Sequence, residues 1–304
     1  MSTTHVWVVG AGGLLGKALS LELSQDSNFT VFSGQHIPWE DSPRTEAIFE
    51  QDFHELTRQA GANPWAVIWA AGRASTSTMK IETETELATF KSLVRVMSNT
   101  NQQGAFFLTS SAGGVYAGSS DPPFSIETIP HPLSHYGELK LAQEEVAKEQ
   151  LSKNCKVIIG RISNLFGPGQ DVNKLQGLIS QLIVSALTKK PIDIFVSLDT
   201  MRDYIYVDDA AKIIANLVIK ESRAESTHII ASGQPVSLGY LIQLAQDISR
   251  TRIPIAIGAH ASSAAQARDL RLTPTENPNN SNATTLPAGI KNVYLDILQR
   301  RQNA

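Results

Sequence analysis

Tyr136 and Lys140 frame the stretch YGELK, and residues four apart on a helix share one face. A phenol beside an ammonium can take a proton from a ligand hydroxyl and give it back. The energies have the right size: a cation about 4 Å away, at an effective dielectric near 20, stabilises a phenolate by about 4 kcal/mol. Bringing a phenol from a pKa of about 10 to about 7 takes the same amount, at about 1.36 kcal/mol per unit. Of the six tyrosines, only Tyr136 has a lysine four positions on. Alone, the same five residues also describe an ordinary solvated helix turn, so their meaning rests on what stands upstream.

Upstream stands VWVVGAGGLLGKAL, with Gly10, Gly13 and Gly16 between an apolar run and a segment of helical period. Glycine permits the tight turn, admits backbone N–H groups close to a phosphate and lets helix and strand touch. A pyrophosphate would lie at the helix start, at Leu14 and Leu15, where the helix dipole favours negative charge. The spacing is G-x-x-G-x-x-G, since G-x-G-x-x-G would need a glycine where Leu15 stands. These features predict a bound dinucleotide. An acid for the ribose hydroxyls should end the second strand, but Ser33 to Gln35 supply neither an acid nor an arginine. NAD and NADP therefore both stay open, with NAD preferred and Ser33 as the candidate on that side. His36 and Arg44, the nearby cations, read as surface residues.

The elements that must position these residues are legible as alternation. VWVV (6–9), FTVF (29–32), AVIWA (66–70), AFFLT (105–109) and KVIIG (156–160) are short runs suited to buried strands. Between them LLGKALSLELSQ, TELATFKSLVRVMSNT and YGELKLAQEEVAKEQL carry apolar residues at helical spacing. The pattern predicts an α/β chain with a Rossmann-type, doubly wound parallel sheet. A helix over 175–190, a strand and helix in RDYIYVDDAAKIIANLVI, an irregular loop over 273–285 and a last helix near AGIKNVYLDILQRR complete the reading. Asp208 and Asp209 are expected to cap the helix they precede.

Composition excludes several classes. A chain of 304 residues with 42% hydrophobic and 18% charged residues is that of a globular protein with one large domain and a smaller lobe. A net charge of -3 offers no broad positive field for nucleic acid or a membrane surface. The single cysteine, Cys155, lies beside an apolar run and reads as a buried thiol. No apolar run approaches the roughly 20 residues of a membrane span, and a cytoplasmic location is expected. The seven histidines show no metal-ligand spacing, no metal is expected, and no G-x-S-x-G elbow supports hydrolase chemistry.

The glycine spacing, YGELK, RISNLFGPGQ (161–170) and RDYIYVDDAA (202–211) follow one another in one order. By them the chain resembles the extended short-chain dehydrogenase/reductase family, in particular its NAD-dependent sugar-nucleotide epimerases and dehydratases. The likeness spans nearly the whole chain and fades in the tail. It implies that Tyr136 is the acid/base and that Lys140 supports the phenolate and holds the ribose. Asp52 and Phe53 would lie near the adenine; Asp52 reads equally as an N-cap before FHELTRQ. Ala70, Ala71 and Gly72 would close the third strand with the small residues a cofactor needs. Ser163 would lie near the nicotinamide, Asn164 near the sugar nucleotide and Arg202 on the substrate diphosphate, which a guanidinium fork suits.

The resemblance also has gaps. Relatives carry a Ser or Thr hydroxyl after the fourth strand, where this chain has Ala112 and Gly114. Ser111 stands one place early and is the candidate for that hydroxyl, or else caps a turn. No asparagine occurs between Ile81 and Ser98, where relatives commonly have one. An Asp-Glu pair of the 4,6-dehydratases is also missing, which counts against that reaction. The expected division is a dinucleotide-binding domain of 1–165 with about 203–231, and a substrate lobe of about 166–202 and 232–304. The expected function is an NAD(P)-dependent epimerase or oxidoreductase on a nucleotide-linked sugar. A one-way reductase or dehydrogenase and a cofactor-binding regulator that has lost catalysis are the alternatives. Relatives pair through two helices, here 82–101 and 135–151, so a homodimer is expected.

Overall fold

Runs of β-branched and aromatic residues are stable as strands when both faces of the sheet are covered. The five strands predicted in the first half form such a sheet, joined by a sixth, Glu225–Ile230, that is not among the predicted ones. The computed structural model describes residues 3–100, 103–172, 177–258, 267–276 and 283–303. The first half contains β1 (Thr4–Val9), α1 (Leu14–Gln25), β2 (Phe29–Phe32), α2 (Ser42–Ala60), β3 (Trp65–Trp69), α3 (Lys80–Ser98), β4 (Gly104–Ser111), the one-turn α4 (Ala112–Val115), α5 (His135–Leu151) and β5 (Cys155–Ile162). There follow β6 (Asn164–Phe166), α6 (Leu178–Thr188), β7 (Ile192–Ile194), β8 (Met201–Arg202), β9 (Tyr204–Tyr206), α7 (Val207–Lys220) and β10 (Glu225–Ile230). The chain closes with β11 (Val236–Ser237), α8 (Leu238–Ser249), β12 (Ile255–Ile257), β13 (Asp269–Leu270) and α9 (Leu286–Gln302).

Six strands form one parallel sheet in the order β10-β5-β4-β3-β1-β2. Alternation along β1 builds two cores. Trp7 and Val9 meet Phe49, Trp69 and Phe90 below α2 and α3, while Val6 and Val8 meet Leu19, Ile68 and Ile214 below α1 and α7. This is the doubly wound, Rossmann-type arrangement. The chain leaves β1 for β2 on one side and returns to β3 on the other. The crevice at the carboxyl ends of β1 and β3 is therefore the topological switch point where such sheets bind ligands. A third core of Phe166, Ile183, Tyr206, Leu241, Ile290 and Val293 joins α6, α8 and α9. A small sheet, β11-β8-β13, presents Arg202 beside Leu270 and Val236.

Several expectations change. The second helix begins at Ser42, not near Asp52: Asp41 accepts a bond from the Arg44 N–H and Pro43 enters the first turn. Asp52 is thus inside α2 and cannot be its cap. Asp208 and Asp209 make no cap either, because Tyr206 holds that position and α7 has no side-chain cap; Asp209 instead accepts the Thr284 N–H at 2.7 Å. Cys155 is buried, and burial pushes its thiol up to about 12. Positions 277–282 of the predicted loop and 175–176 of the predicted helix lie outside the described residues. Among the described residues, no helix is long and apolar enough to cross a membrane. None of their His, Cys, Asp and Glu side chains gather in threes where a metal could be held.

Candidate functional site

The glycine turn has the shape of a cradle. Gly10 sits at φ +91°, and a Cβ there would stand 2.6 Å from the backbone of Ala71, so the segments leaving β1 and β3 can touch there only because Gly10 has no side chain. The Gly13 N–H closes the turn on the Gly10 carbonyl at 3.0 Å. A Cβ on Gly16 would meet that same carbonyl oxygen at 2.1 Å. Above Gly12 a Cβ would find no atom within 4 Å. The helix that starts at Leu14 and Leu15 carries no side-chain cap and no acid in its first turn, so its N–H groups and positive dipole end are available to an anion. A close-packed floor, open space above it and an uncapped helix start fit a pyrophosphate. Gly16→Ala is expected to lose about 1–3 kcal/mol of stability to overpacking and to weaken dinucleotide affinity. Thermal melting with and without NADH measures both.

Around this cradle the sequence candidates separate. Ser33 is exposed at the end of β2. Asp52 is buried and accepts the Gln35 N–H at 2.7 Å and the Gln35 amide at 3.2 Å, which pins the loop after β2. The ring of Phe53 packs edge-on against Trp65, 5.1 Å between centroids, at the opposite end of β3 from the crevice, so it does not line the site. Ala70, Ala71 and Gly72 follow β3 into the switch point, and Arg73 beyond them pairs with Glu40.

The second group is carried by α5, whose cap, Ser134, accepts the Gly137 N–H at 3.2 Å. Tyr136 is half-buried in the first turn, and its hydroxyl makes no hydrogen bond to the described residues. Lys140 is buried, with Nζ 5.7 Å from the centre of the Tyr136 ring. The lysine donates to Gln143 Oε1 at 3.1 Å and stands 3.7 Å from Glu86 Oε1. Gly114 explains one departure from the family pattern: a Cβ there would press on Tyr136 Cε1 at 3.1 Å, so α4 packs on the ring by giving up a side chain. Ser111 caps α4 by accepting the Gly114 N–H at 3.1 Å. Its own hydroxyl hydrogen is left free to donate.

Beneath α5 lies a buried ionic cluster. Arg161 donates to Glu144 through Nε at 3.0 Å and Nη2 at 2.7 Å, and through Nη1 to the Tyr116 hydroxyl at 2.6 Å. Ser110 donates to Glu144, and Tyr116 to the Ser125 carbonyl. Burial holds the Tyr116 phenol above its ordinary range even against the neighbouring guanidinium.

The substrate-side candidates converge through the backbone. Asn164 donates through Nδ2 to the Asp203 carbonyl at 2.7 Å, which sets it beside Arg202. Arg202 has its register partner Leu270 in β13, and a Cβ on Gly113 would lie 3.3 Å from Leu270 Cδ2. Leu270 thus links the arginine to the turn beside Tyr136. Among the described residues no carboxylate forms a salt bridge with Arg202, and burial pulls its guanidinium below its ordinary value. Ser163 is buried, and its hydroxyl has no partner among the described residues. Sequence reasoning missed Glu86, which accepts the Arg73 and Ala74 N–H groups at 2.7 and 2.9 Å. Its signal was a lone carboxylate within the buried stripe Thr83, Thr89, Phe90, Leu93 and Met97 of α3.

Comparison with known proteins agrees with this fold. A sequence model of the NAD dependent epimerase/dehydratase family matches residues 6–231. The dTDP-L-rhamnose 4-epimerase of Burkholderia thailandensis is 34% identical over 119 residues, 38% of this chain and 33% of that protein. The dTDP-4-dehydro-6-deoxyglucose reductase of Escherichia coli is 36% identical over 137 residues, 44% of this chain and 42% of its own. The match therefore spans less than half of each of these relatives. The UDP-glucose 4-epimerase of Bifidobacterium longum, solved in complex with NAD+ and UDP, superposes with a TM-score of 0.82 at 18% identity, covering 99% of this chain and 100% of that one.

Proposed function

Because the chain belongs to the NAD dependent epimerase/dehydratase family, we propose that it is an NAD(P)-dependent epimerase or oxidoreductase acting on a nucleotide-linked sugar. The observation that carries this reading is Tyr136, whose hydroxyl has no hydrogen-bond partner among the described residues and whose ring centre lies 5.7 Å from the Nζ of the buried Lys140, in a chain whose glycine turn leaves open space before an uncapped helix start. Gly10, Gly13 and Gly16, with the first N–H groups of α1, hold the pyrophosphate; Ala70 to Gly72 leave room for the cofactor across the strand ends. When bound, the dinucleotide supplies the nicotinamide that accepts a hydride and returns it. Tyr136 takes the proton from the sugar hydroxyl as the hydride leaves, and gives it back when the ketone is reduced. Lys140 supports the phenolate and reaches the ribose. Ser111 donates to the reacting sugar oxygen in place of the hydroxyls missing at Ala112 and Gly114. Arg202 and Asn164 take the diphosphate of the substrate, where a desolvated guanidinium with no salt-bridged carboxylate among the described residues suits an anion. Ser163, whose hydroxyl has no partner among the described residues, is read as serving the nicotinamide end, and Asp52 shapes the adenine side through Gln35. A second copy is read as pairing through α3 and α5.

The test is a thermal-shift screen of NAD, NADP and UDP-, GDP- and dTDP-sugars. A ligand at about 100 times its Kd stabilises the native state by about 2.7 kcal/mol, and a rise with at least one dinucleotide is expected. No rise with either dinucleotide overturns the reading. A one-way reductase is favoured as second reading by the 36% identity to a 4-dehydro-6-deoxyglucose reductase. Net change in reduced-nicotinamide absorbance separates it from an epimerase, which shows none.

A further inference from the structure

Glu86 occupies a position that a helix rarely gives a carboxylate. It is 2% exposed, on the face of α3 turned to α5, among residues that are otherwise apolar or hydroxylic. A buried carboxylate is costly unless it is paired and hydrogen-bonded. Oε2 meets that condition by accepting the Arg73 and Ala74 N–H groups of the loop that leaves β3. Oε1 has no hydrogen bond among the described residues and faces Lys140 Nζ across 3.7 Å. Lys140 is itself 5% exposed, and among the described residues no other carboxylate forms a salt bridge with it. Gly72 completes the contact, because a Cβ there would stand 3.0 Å from Glu86 Oε1. One carboxylate thus touches both halves of the site: the strand-end loop beside the cradle and the lysine under Tyr136.

Resting on the function proposed above, we propose that Glu86 is a positioning residue: it is the countercharge that holds the Lys140 ammonium under Tyr136 and locks that ammonium to the loop after β3. The phenol then meets a lysine whose place is set by the cofactor loop rather than by its own flexible stem. Neither half alone explains the geometry, since the loop needs only an amide-type acceptor, whereas the ammonium needs an anion.

Glu86→Gln separates the two roles, because the amide oxygen can still accept from Arg73 and Ala74 while the charge is gone. Turnover is followed with the sugar nucleotide found by the thermal-shift screen, and dinucleotide affinity by NADH fluorescence. Glu86→Gln is expected to lower kcat about tenfold, which corresponds to about 1.4 kcal/mol of barrier, with a smaller loss of NADH affinity because Lys140 also reaches the ribose. Added to Lys140→Met, it is expected to cause no further loss, because it acts through the lysine. A wild-type kcat in Glu86→Gln, or losses that multiply in the double variant, overturns the proposal. Melting temperatures give a readout independent of turnover: the double variant should melt at or above Glu86→Gln alone, since it leaves no unpaired buried charge. Melting losses that simply add also overturn it. A parent chain that binds no dinucleotide sinks the proposed function, while the melting cycle still decides the pairing of Glu86 with Lys140.

Discussion

Tyr136→Phe is expected to lower turnover of the sugar nucleotide by about a thousandfold, the middle of the range for losing a positioned acid/base. Dinucleotide affinity should stay within a fewfold of the parent. The asymmetry follows from what the substitution removes. The ring keeps its packing on Gly114 and its place beside Lys140, while the oxygen it loses makes no bond to the described residues. Stability should therefore hold as well, unlike the loss of a buried phenol such as Tyr116, whose hydroxyl joins Arg161 to the Ser125 carbonyl. Steady-state kinetics for kcat and NADH titration for Kd check the two halves. A chain that binds dinucleotide but has lost catalysis would show no kinetic difference between Tyr136→Phe and the parent. That outcome would favour the regulator reading, which the hydroxyl-free turn at Ala112 and Gly114 motivates.

What could be read in the sequence was what is local. Tyr136 and Lys140 are one helical turn apart, and Gly10, Gly13 and Gly16 lie within one strand-to-helix turn, so spacing alone placed each group. The five central strands were legible because both faces are buried, which forces unbroken apolar runs. The two-residue strands β11 and β13 were not, since nothing in such short segments distinguishes them from loop until their partners are in place; the strand expected in RDYIY appears as β8 and β9 on either side of Asp203. Asp52 misleads because a carboxylate ahead of an amphipathic stretch looks like a cap; the real start, Asp41 with Pro43, carries its signal eleven residues earlier. Phe53 points to the core because its position on α2 faces Trp65, a fact of helix phase that the misplaced start concealed. Glu86 and Arg202 draw their meaning from partners distant in the chain. A glutamate in a helix reads as solvent-facing until α5 is seen to cover it.

Glu144→Ala is expected to be the most destabilising of the single changes considered. It removes the carboxylate that binds the Arg161 fork and accepts from Ser110, leaving a guanidinium buried with Tyr116 as its remaining side-chain partner. Breaking a buried pair from one side costs about 3–5 kcal/mol. At roughly 2–4 °C per kcal/mol for chains of this size class, melting should fall by about 10 °C, measured by circular dichroism. Replacing both partners, Glu144→Leu with Arg161→Met, should recover much of that loss, since no charge is then stranded. The effect should also reach the site. Tyr136, Lys140 and Glu144 follow one another at four-residue intervals along α5, so one helical stripe offers its first two members to the crevice and its third to the sheet. Arg161 on β5 grips that third member, and Glu86 on α3 the second. With Glu144 gone, α5 loses its ionic anchor on β4 and β5, and turnover should drop in the fraction that remains folded. The double apolar variant should restore stability more completely than turnover, because packing can replace the anchor's energy without reproducing the fixed angle at which α5 carries Tyr136.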